Sequence, residues 1–444
     1  MSERLCFDQA LPAAVGVLTE HFRDQLPEAT IVRDPLGTLF VVLPDDALTE
    51  GDAWHQLATS LHQQLRCYSP GIRRVLLRVG DLVEPDDVIR SPDRVSYSEC
   101  KNIWLLDRLQ NNQDWLRKPL LQQSPVPTAV AFSIKGGVGR TTAFALWAWH
   151  LARLGKRSIL VDLDLEAPGV AGILLEHDRL PDYGLIDWLA ESLVDSPEPT
   201  LLRECLAECL LASDTAATIR VLPACGRKTR DYVNKLGRIY QPVLSSDGSR
   251  TIGLAERLQA LLEQLASLPE PPDVILLDAR SGLHDISSAA VTRLAAQVYL
   301  FARDDPAGWQ AYALLFEHLC HARSVRWGMP DDDLRWRLKI VGAQVDPSEV
   351  ARRHFANRSY ETWLGLYDAE ESGDTAANGP RAQIFGRDDE GPHQPLFISL
   401  DPRVRSFNLS DPAEKPDWQV VEQTFDAFFT QASTLLLPAA DEGN

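Results

Sequence analysis

The chain has 444 residues, a length that favours about three domains. Hydrophobic residues make up 45% and charged residues 24%, as in folded globular proteins, so disordered and collagen-like classes are excluded. Lys and Arg total 44 against 63 Asp and Glu, and the net charge of −19 argues against nucleic acid or an anionic membrane as the main partner.

The cysteines are typical of a reduced compartment. There are seven, an odd number, and none has the CxxC spacing of a zinc site. Cys205 and Cys209 are expected to share a helix face. The first twenty residues have no basic segment followed by an apolar core, and no apolar run approaches the roughly 20 residues of a spanning helix. We therefore expect a cytoplasmic protein without a membrane partner.

Residues 1–118 are predicted to form a small α+β module. Strands are expected at 29–33 and 38–43, because these β-branched runs are separated by the turn-forming tetrapeptide Asp34-Pro35-Leu36-Gly37. A helix is expected at 54–65 and a strand at 75–79. No catalytic constellation is present in the module. Two roles are open for the module: it could sense or contact a partner, or it could serve only as structural support.

Residues 119–345 alternate between strand and helix patterns, which indicates a parallel sheet with crossover helices. The predicted strands are 129–134, 158–162, 219–223, 274–278, 297–301 and 338–342, and the predicted helices are 141–154, 183–191, 254–265 and 309–322. The fold class is therefore α/β, a mostly parallel sheet flanked by helices.

Residues 346–444 are expected to form a mixed C-terminal extension that packs on this domain. Its Gly-, Pro- and Asp-rich segment 368–395 predicts a long loop, and 418–435 predicts a helix with an apolar stripe. No Lys or Arg follows Lys415, so the helix lacks the charges that favour membrane binding. Packing on the domain core is the expected role of the stripe.

A glycine-rich loop lies between the first strand and first helix of this domain. Gly136, Gly137 and Gly139 allow tight backbone geometry, and the following helix N-terminus favours an anion. A polyphosphate is the ligand that this arrangement predicts. The strict pattern G-x-x-x-x-G-K-[ST] is not met, because Ile134 replaces its first glycine and Arg140 its lysine.

Three motifs in order give the sequence a specific resemblance. Lys-Gly-Gly-Val-Gly-Arg-Thr-Thr at 135–142 is followed by Val-Asp-Leu-Asp at 161–164 and by Val-Ile-Leu-Leu-Asp at 274–278, which precedes Ala-Arg-Ser-Gly. Together they resemble the ParA/MinD-like P-loop ATPases with the deviant motif K-G-G-x-G-K-[ST]-T. The arginine variant is most similar to a branch of regulatory ATPases associated with bacterial conflict and antiphage defence.

The resemblance implies ATP and Mg²⁺ as ligands and assigns roles by position. The residues implied to bind the nucleotide are Lys135, Gly136, Gly137, Val138, Gly139, Arg140, Thr141 and Thr142. Lys135 is implied to reach the phosphates of a partner subunit in a nucleotide-dependent homodimer. Asp164 is implied to orient the attacking water. The implied metal set is Thr141, Asp162, Asp164 and Asp278.

Several assignments have plain structural alternatives. Asp162 and Asp164 could serve merely to cap the turn after their strand, with no part in metal binding or catalysis. Arg280 could be a switch residue facing phosphate or a solvated loop charge. The segment 303–306, Arg-Asp-Asp-Pro, could line the base pocket, and a turn with solvated charges is the favoured account. Because no N-K-x-D motif follows a strand, adenine is expected rather than guanine.

The function that these patterns favour is an ATP-dependent switch that dimerises through its nucleotide and regulates an effector protein in bacterial defence. Arginine at 140 could grip phosphates as a planar fork, slow hydrolysis, or leave a site that only binds. One alternative is a cargo-positioning ATPase, which would require a basic surface or a basic membrane helix. A second is a non-hydrolysing nucleotide-binding adaptor.

Overall fold

The structure is a computed structural model. It describes residues 4–48, 51–97, 100–120, 124–245, 248, 251–322, 334–367, 386–406, 409–411 and 415–437. The chain divides into two compact units, one containing the described residues up to Lys118 and the other containing Pro119–Cys320 and the described residues from 334 onward.

The first unit is a five-stranded mixed sheet with helices. Its elements are α1 (Phe7–Phe22), β1 (Ala29–Arg33), β2 (Leu39–Leu43), α2 (Asp52–Leu65), β3 (Leu76–Arg78), α3 (Asp86–Ile89), β4 (Arg94–Ser96) and β5 (Ile103–Asp107). The strand order is β3-β2-β1-β5-β4. The α1 and α2 helices pack on each other, and their apolar faces form one core with the sheet.

The turn between β1 and β2 follows from its sequence. The Asp34 carboxylate accepts the backbone N–H groups of Leu36 and Thr38 at 2.9 and 2.8 Å. Gly37 has a φ of +88°, a conformation that glycine adopts without steric cost. The hairpin is therefore fixed by one carboxylate and one glycine. Helix α1 was not predicted from the sequence.

The second unit contains the remaining elements. Its helices are α4 (Arg140–Arg153), α5 (Val170–Leu174), α6 (Leu185–Glu191), α7 (Pro199–Glu204), α8 (Tyr232–Leu236), α9 (Leu254–Ala266), α10 (Asp285–Ala289), α11 (Pro306–Ala322), α12 (Leu334–Arg337), α13 (Glu349–Tyr367) and α14 (Trp418–Leu436). Its strands are β6 (Thr128–Phe132), β7 (Ser158–Asp162), β8 (Ala207–Cys209), β9 (Ile219–Leu222), β10 (Val243–Leu244), β11 (Thr251–Ile252), β12 (Val274–Asp278), β13 (Gln297–Ala302), β14 (Leu338–Val345) and β15 (Leu396–Ser399).

An eight-stranded sheet organises this unit, in the order β15-β14-β13-β6-β12-β7-β9-β8. All neighbouring strands are parallel except β8 and β9. Strands β6, β7 and β12 are buried at every position, which explains their continuous apolar sequences. The predicted fold class, α/β with a mostly parallel sheet flanked by helices, is confirmed.

The C-terminal residues belong to the same compact unit. β15 extends the sheet beside β14, and α14 packs against β15 and α4. Phe428 is fully buried and forms edge contacts with Trp147, Tyr299 and Phe301. The Tyr299 hydroxyl donates to the carbonyl of Ala432 at 2.8 Å. The apolar stripe of α14 is thus covered by the unit's own aromatic core.

The structure of this unit bears on two further predictions, a shared helix face for Cys205 and Cys209 and a long loop at 368–395. The interpretation that Cys205 and Cys209 share a helix face is wrong, because α7 ends at Glu204 and Cys209 lies in β8. Burial raises the pKa of both thiols, that of Cys209 to about 11. Of the predicted loop 368–395, residues 368–385 lie outside the described residues, and 386–395 contain no helix or strand.

Candidate functional site

The glycine loop joins β6 to α4 at the carboxyl edge of the sheet. Gly137 and Gly139 have φ values of +74° and +91°, a region that disfavours residues with a Cβ atom. Gly139 is the residue before the first turn of α4, whose leading N–H groups have no acceptor within the helix. The loop therefore presents a concave, positively polarised backbone, as an anion site requires.

Thr141 and Asp278 meet beneath this loop. The threonine hydroxyl donates to Asp278 Oδ2 at 2.5 Å. Asp278 Oδ1 is buried and has no hydrogen-bond partner among the described residues. Burial is the main cause that raises the pKa of Asp278, to about 6. A carboxylate oxygen that accepts no hydrogen bond, beside a threonine hydroxyl, is a set of oxygen ligands that suits Mg²⁺.

Arg140 does not extend into solvent. Its side chain is buried, and Nη1 donates to Ser133 Oγ at 2.7 Å. The guanidinium also lies 3.8 Å from carboxylate oxygens of both Asp164 and Asp278. Arg140 therefore supplies the positive charge inside the carboxylate cluster.

Asp162 shapes the turn that follows β7. It is completely buried, and its oxygens accept the N–H groups of Asp164, Gly169 and Val170, each at 3.1 Å. Burial, and secondarily the charge of Asp278, raises the pKa of Asp162 to about 7. The turn-capping alternative thus describes the contacts that Asp162 makes.

Asp164 lies nearer the surface of the site than Asp162. Its Oδ1 accepts the N–H of Ala167 at 3.2 Å, and its Oδ2 faces Arg140. Burial raises the pKa of Asp164, while the positive charges of Arg140 and Arg280 oppose that effect. A carboxyl group with one oxygen facing this guanidinium can also hold water by hydrogen bonds.

Lys135 has its partner within the chain. Its ammonium lies 3.0 Å from Asp305 Oδ1, and both side chains are close to half exposed. Asp305 also accepts the N–H of Gly308 at 2.8 Å in the first turn of α11. The neighbouring Asp304 bonds to Trp309 and His354. Both carboxylates thus pair with side chains while staying about 40% exposed, which is compatible with the favoured interpretation of a turn with solvated charges.

Sequence reasoning missed a polar network behind Asp164. Glu166 forms an ion pair with Arg280, its Oε2 lying 2.7 Å from Nη1. The other carboxylate oxygen accepts the Tyr240 hydroxyl and lies 3.3 Å from His284 Nε2. Spacing gave one signal, since Glu166 lies two residues after Asp164 and Arg280 two residues after Asp278. Tyr240 lies in a segment that no motif marks.

A cavity of about 180 Å³ lies beside the loop and the start of α4. Gly139 and Thr142 line one side, and Gln344, Asp401 and Phe425 are among the residues that line the other. Gln344 has a φ of +59°, where the β14–β15 pairing shifts register. The cavity is mostly apolar with a few polar side chains, as small-molecule pockets are.

No group of three or more His, Cys, Asp or Glu side chains is arranged to hold a metal ion within the described part of the chain. A site that shares Mg²⁺ with phosphates needs only one or two protein carboxylates. In the same part of the chain, no helix is long and apolar enough to cross a membrane.

Two curated proteins are similar to parts of the chain. Septum site-determining protein MinD of Synechocystis sp. is 30% identical over 155 residues, covering 35% of this chain and 45% of MinD. Chromosome-partitioning ATPase Soj of Thermus thermophilus is 49% identical over 45 residues, covering 10% of this chain and 18% of Soj. The chain thus spans less than half the length of either relative. No protein-family model matches it.

Solved structures with a similar arrangement include a ParA family ATPase from Chlorobium tepidum. It is 13% identical with a TM-score of 0.43, and the match covers 70% of this chain and 99% of that one. The MinD cell division protein of Aquifex aeolicus is 16% identical with a TM-score of 0.38, covering 72% and 100%. The partial sequence matches and the order of the three motifs indicate the same relationship. The α/β unit of this chain is similar to ParA- and MinD-type proteins.

Proposed function

We propose that the second unit binds Mg²⁺ and ATP at the glycine loop and hydrolyses ATP, releasing its γ-phosphate. The observation that carries the proposal is the buried Asp278 Oδ1, which has no hydrogen-bond partner among the described residues and lies beside the Thr141 hydroxyl, at a loop with two left-handed glycines. Similarity to Soj, a chromosome-partitioning ATPase, supports the choice of nucleotide.

The residues fit a bound Mg²⁺, with Thr141 and Asp278 as its protein ligands. The ion would supply neutralisation of phosphate charge. Asp162 already accepts three backbone N–H groups, so in the proposal it fixes the turn that presents Asp164. Asp164 positions the attacking water, and Arg140 stabilises the negative charge of the phosphates and carboxylates together.

The cavity beside Thr142 is the proposed site for the base. It starts at the loop residues Val138 and Gly139 and ends against Phe425 of α14, so a nucleoside whose phosphates occupy the loop can place its base there. Gln344 and Asp401 supply a donor and an acceptor for a base edge. We propose adenine as the base, since the sequence lacks the guanine-specific motif.

The protein is proposed to act as a switch that forms a dimer when ATP is bound and then controls an effector protein. The defence role rests on the resemblance of the arginine-variant motif and on nothing further. The cargo-positioning alternative is less favoured, because the net charge of −19 offers no general attraction to DNA or anionic lipid. The adaptor alternative binds nucleotide without hydrolysing it or dimerising through it, and recruits partners through residues 1–118.

Calorimetry with ATP, in buffer containing Mg²⁺ and in buffer containing EDTA, tests the proposal. The wild type should bind ATP, and Thr141→Val should weaken Mg²⁺-dependent binding by about tenfold or more, since it removes a metal ligand. Thr434→Val is the matched control, because the Thr434 hydroxyl donates to Thr430 on the surface of α14. Absence of binding heat at near-millimolar ATP would falsify the proposal, and phosphate release separates the enzyme from the adaptor.

A further inference from the structure

The segment after β12 lies directly against the glycine loop. The N–H of Ala279 donates to Ala131 at 3.0 Å, and the N–H of Gly282 donates to Ser133 at 2.9 Å. A Cβ atom placed on Gly136 would lie 3.6 Å from the hydroxyl of Ser281. The backbone on either side of Arg280 is therefore fixed within contact distance of the loop.

Arg280 is the second guanidinium at this site. Its side chain is about one-third exposed, and its Nη1 lies 2.7 Å from Glu166 Oε2. Glu166 is itself anchored, because it accepts the Tyr240 hydroxyl and lies 3.3 Å from His284 Nε2. If the arginine left it, the carboxylate would keep the hydrogen bond from Tyr240 and its contact with His284.

Arg280 is also close to the proposed water-positioning group. Its positive charge acts on Asp164 together with that of Arg140. Arg140 is buried and bonded to Ser133 Oγ, whereas Arg280 contacts the carboxylate of a loop residue at the partly exposed rim. Of these two guanidiniums, Arg280 has the greater freedom to change its partner.

We propose that Arg280 senses the γ-phosphate by exchanging Glu166 for a phosphate oxygen when ATP, and not ADP, is bound. The inference rests on the proposed function, because it requires nucleotide phosphates on the glycine loop. A planar guanidinium binds carboxylate and phosphate with the same fork of donors, so the exchange replaces one anionic partner of Arg280 with another. Glu166 is then a positioning residue that holds Arg280 while the γ-phosphate is absent.

This exchange predicts opposite effects for the two partners. Arg280→Ala should leave ADP affinity within about twofold and reduce the preference for AMPPNP over ADP by about tenfold, the worth of one charge-assisted hydrogen bond. Glu166→Gln should raise that preference up to about fivefold, since ATP no longer has to break a partly exposed ion pair. The effect of Glu166→Gln should disappear in the Arg280→Ala background.

Calorimetric titration of the full chain with ADP and with AMPPNP, both with Mg²⁺, measures these preferences. Arg353→Ala is the matched control, because Arg353 forms an exposed ion pair with Glu349 at 2.8 Å on α13. An unchanged preference in Arg280→Ala overturns the inference. So does an equal loss of affinity for both nucleotides in Glu166→Gln, which would make the pair structural. Failure of the wild type to bind either nucleotide would instead reject the proposed function.

Discussion

The ammonium of Lys135 lies 3.0 Å from the carboxylate of Asp305, so the lysine at the start of the glycine loop is held by its own subunit. The family resemblance gives this position a different task, contact with the phosphates of a partner subunit. Both side chains are close to half exposed, so the ion pair is worth no more than about 1 kcal/mol. Lys135 can therefore be withdrawn from Asp305 by a polyphosphate at little cost.

Asp305→Asn should strengthen ATP-dependent dimerisation, because Lys135 then has no competing carboxylate. The expected gain is up to about fivefold in affinity for each lysine released. Lys135→Ala should abolish ATP-dependent dimers and leave the monomer folded. Light scattering with AMPPNP measures both effects.

Asp304→Asn is the control for this experiment, since it makes the same charge change in the same turn without contacting Lys135. A Lys135→Ala protein that dimerises normally would contradict the role in trans. A wild type that stays monomeric with nucleotide bound would favour the adaptor alternative.

Asp164→Asn should reduce the rate of hydrolysis far more than the affinity for ATP. Asparagine keeps an oxygen for the N–H of Ala167 but loses the charge that faces Arg140. Removal of a group that positions water in the transition state typically lowers kcat by about 10²-fold. Phosphate release and calorimetry on one preparation give the two values. Equal losses in kcat and in affinity would assign Asp164 to binding or folding.

The sequence predicted the structure best at positions where a single local requirement, such as burial or a positive φ, determines the residue type. Strands 158–162 and 274–278 have the predicted bounds, because central parallel strands are apolar throughout. The turn at Asp34 and the glycines of the loop follow from local rules for carboxylate-capped turns and for positive φ. Site residues at strand ends could be placed together for the same reason, since those strands are neighbours in the sheet.

Long-range partners could not be predicted in this way. The pairs Lys135 with Asp305 and Glu166 with Tyr240 join residues that are far apart in sequence, and no local pattern specifies either. The position of Arg140 also depends on tertiary structure, because its charge is stabilised by carboxylates at the ends of two other strands. β15 was missed because a four-residue strand carries too weak an alternation signal to distinguish it from a loop.

In the nucleotide-free protein, the contribution of Asp162 and Asp278 to stability should fall as pH rises from about 5 to 7.5. Burial raises the pKa of Asp278 to about 6 and that of Asp162 to about 7, above the value of about 3.9 in an unfolded chain. At these two groups the folded state therefore holds more protons than the unfolded state in this window, and their contribution to the free energy of unfolding falls as the pH increases. Below about pH 4 both states are protonated and the contribution levels off.

Asp278→Asn isolates this effect. Over the same pH range the variant should lose about 1 kcal/mol less stability than the wild type, because about half of the pKa shift of roughly two units takes effect above pH 5. Urea denaturation in EDTA at several pH values provides the comparison. Parallel pH profiles for the variant and the wild type would show that Asp278 is ionised at low cost in the folded protein.

Arg140 is expected to contribute to folding as well as to nucleotide binding. Its guanidinium is buried, donates to Ser133 Oγ at 2.7 Å, and lies 3.8 Å from Asp164 and Asp278. Arg140→Ala would leave the buried carboxylates without this cation, and a buried charge that loses its partner destabilises a protein by about 3 kcal/mol. Arg140→Lys retains the charge and should lower the free energy of unfolding by about 1 kcal/mol, mainly through the hydrogen bond to Ser133.

Ser133→Ala provides a comparison that leaves the guanidinium in place. It removes the hydrogen bond from Arg140 and also the one that the Ser133 hydroxyl donates to the carbonyl of Lys135 at 2.6 Å. Ser133→Ala should be less stable than Arg140→Lys, since it loses one more hydrogen bond, and both should be more stable than Arg140→Ala. Urea denaturation at pH 7.5 measures the three variants, and phosphate release by Arg140→Lys then shows which cation the loop needs for hydrolysis. If Arg140→Ala is as stable as the wild type, the cation does not balance Asp164 and Asp278 in the folded state. Its conformation would then be set by Ser133 alone, and its main task would be with the phosphates.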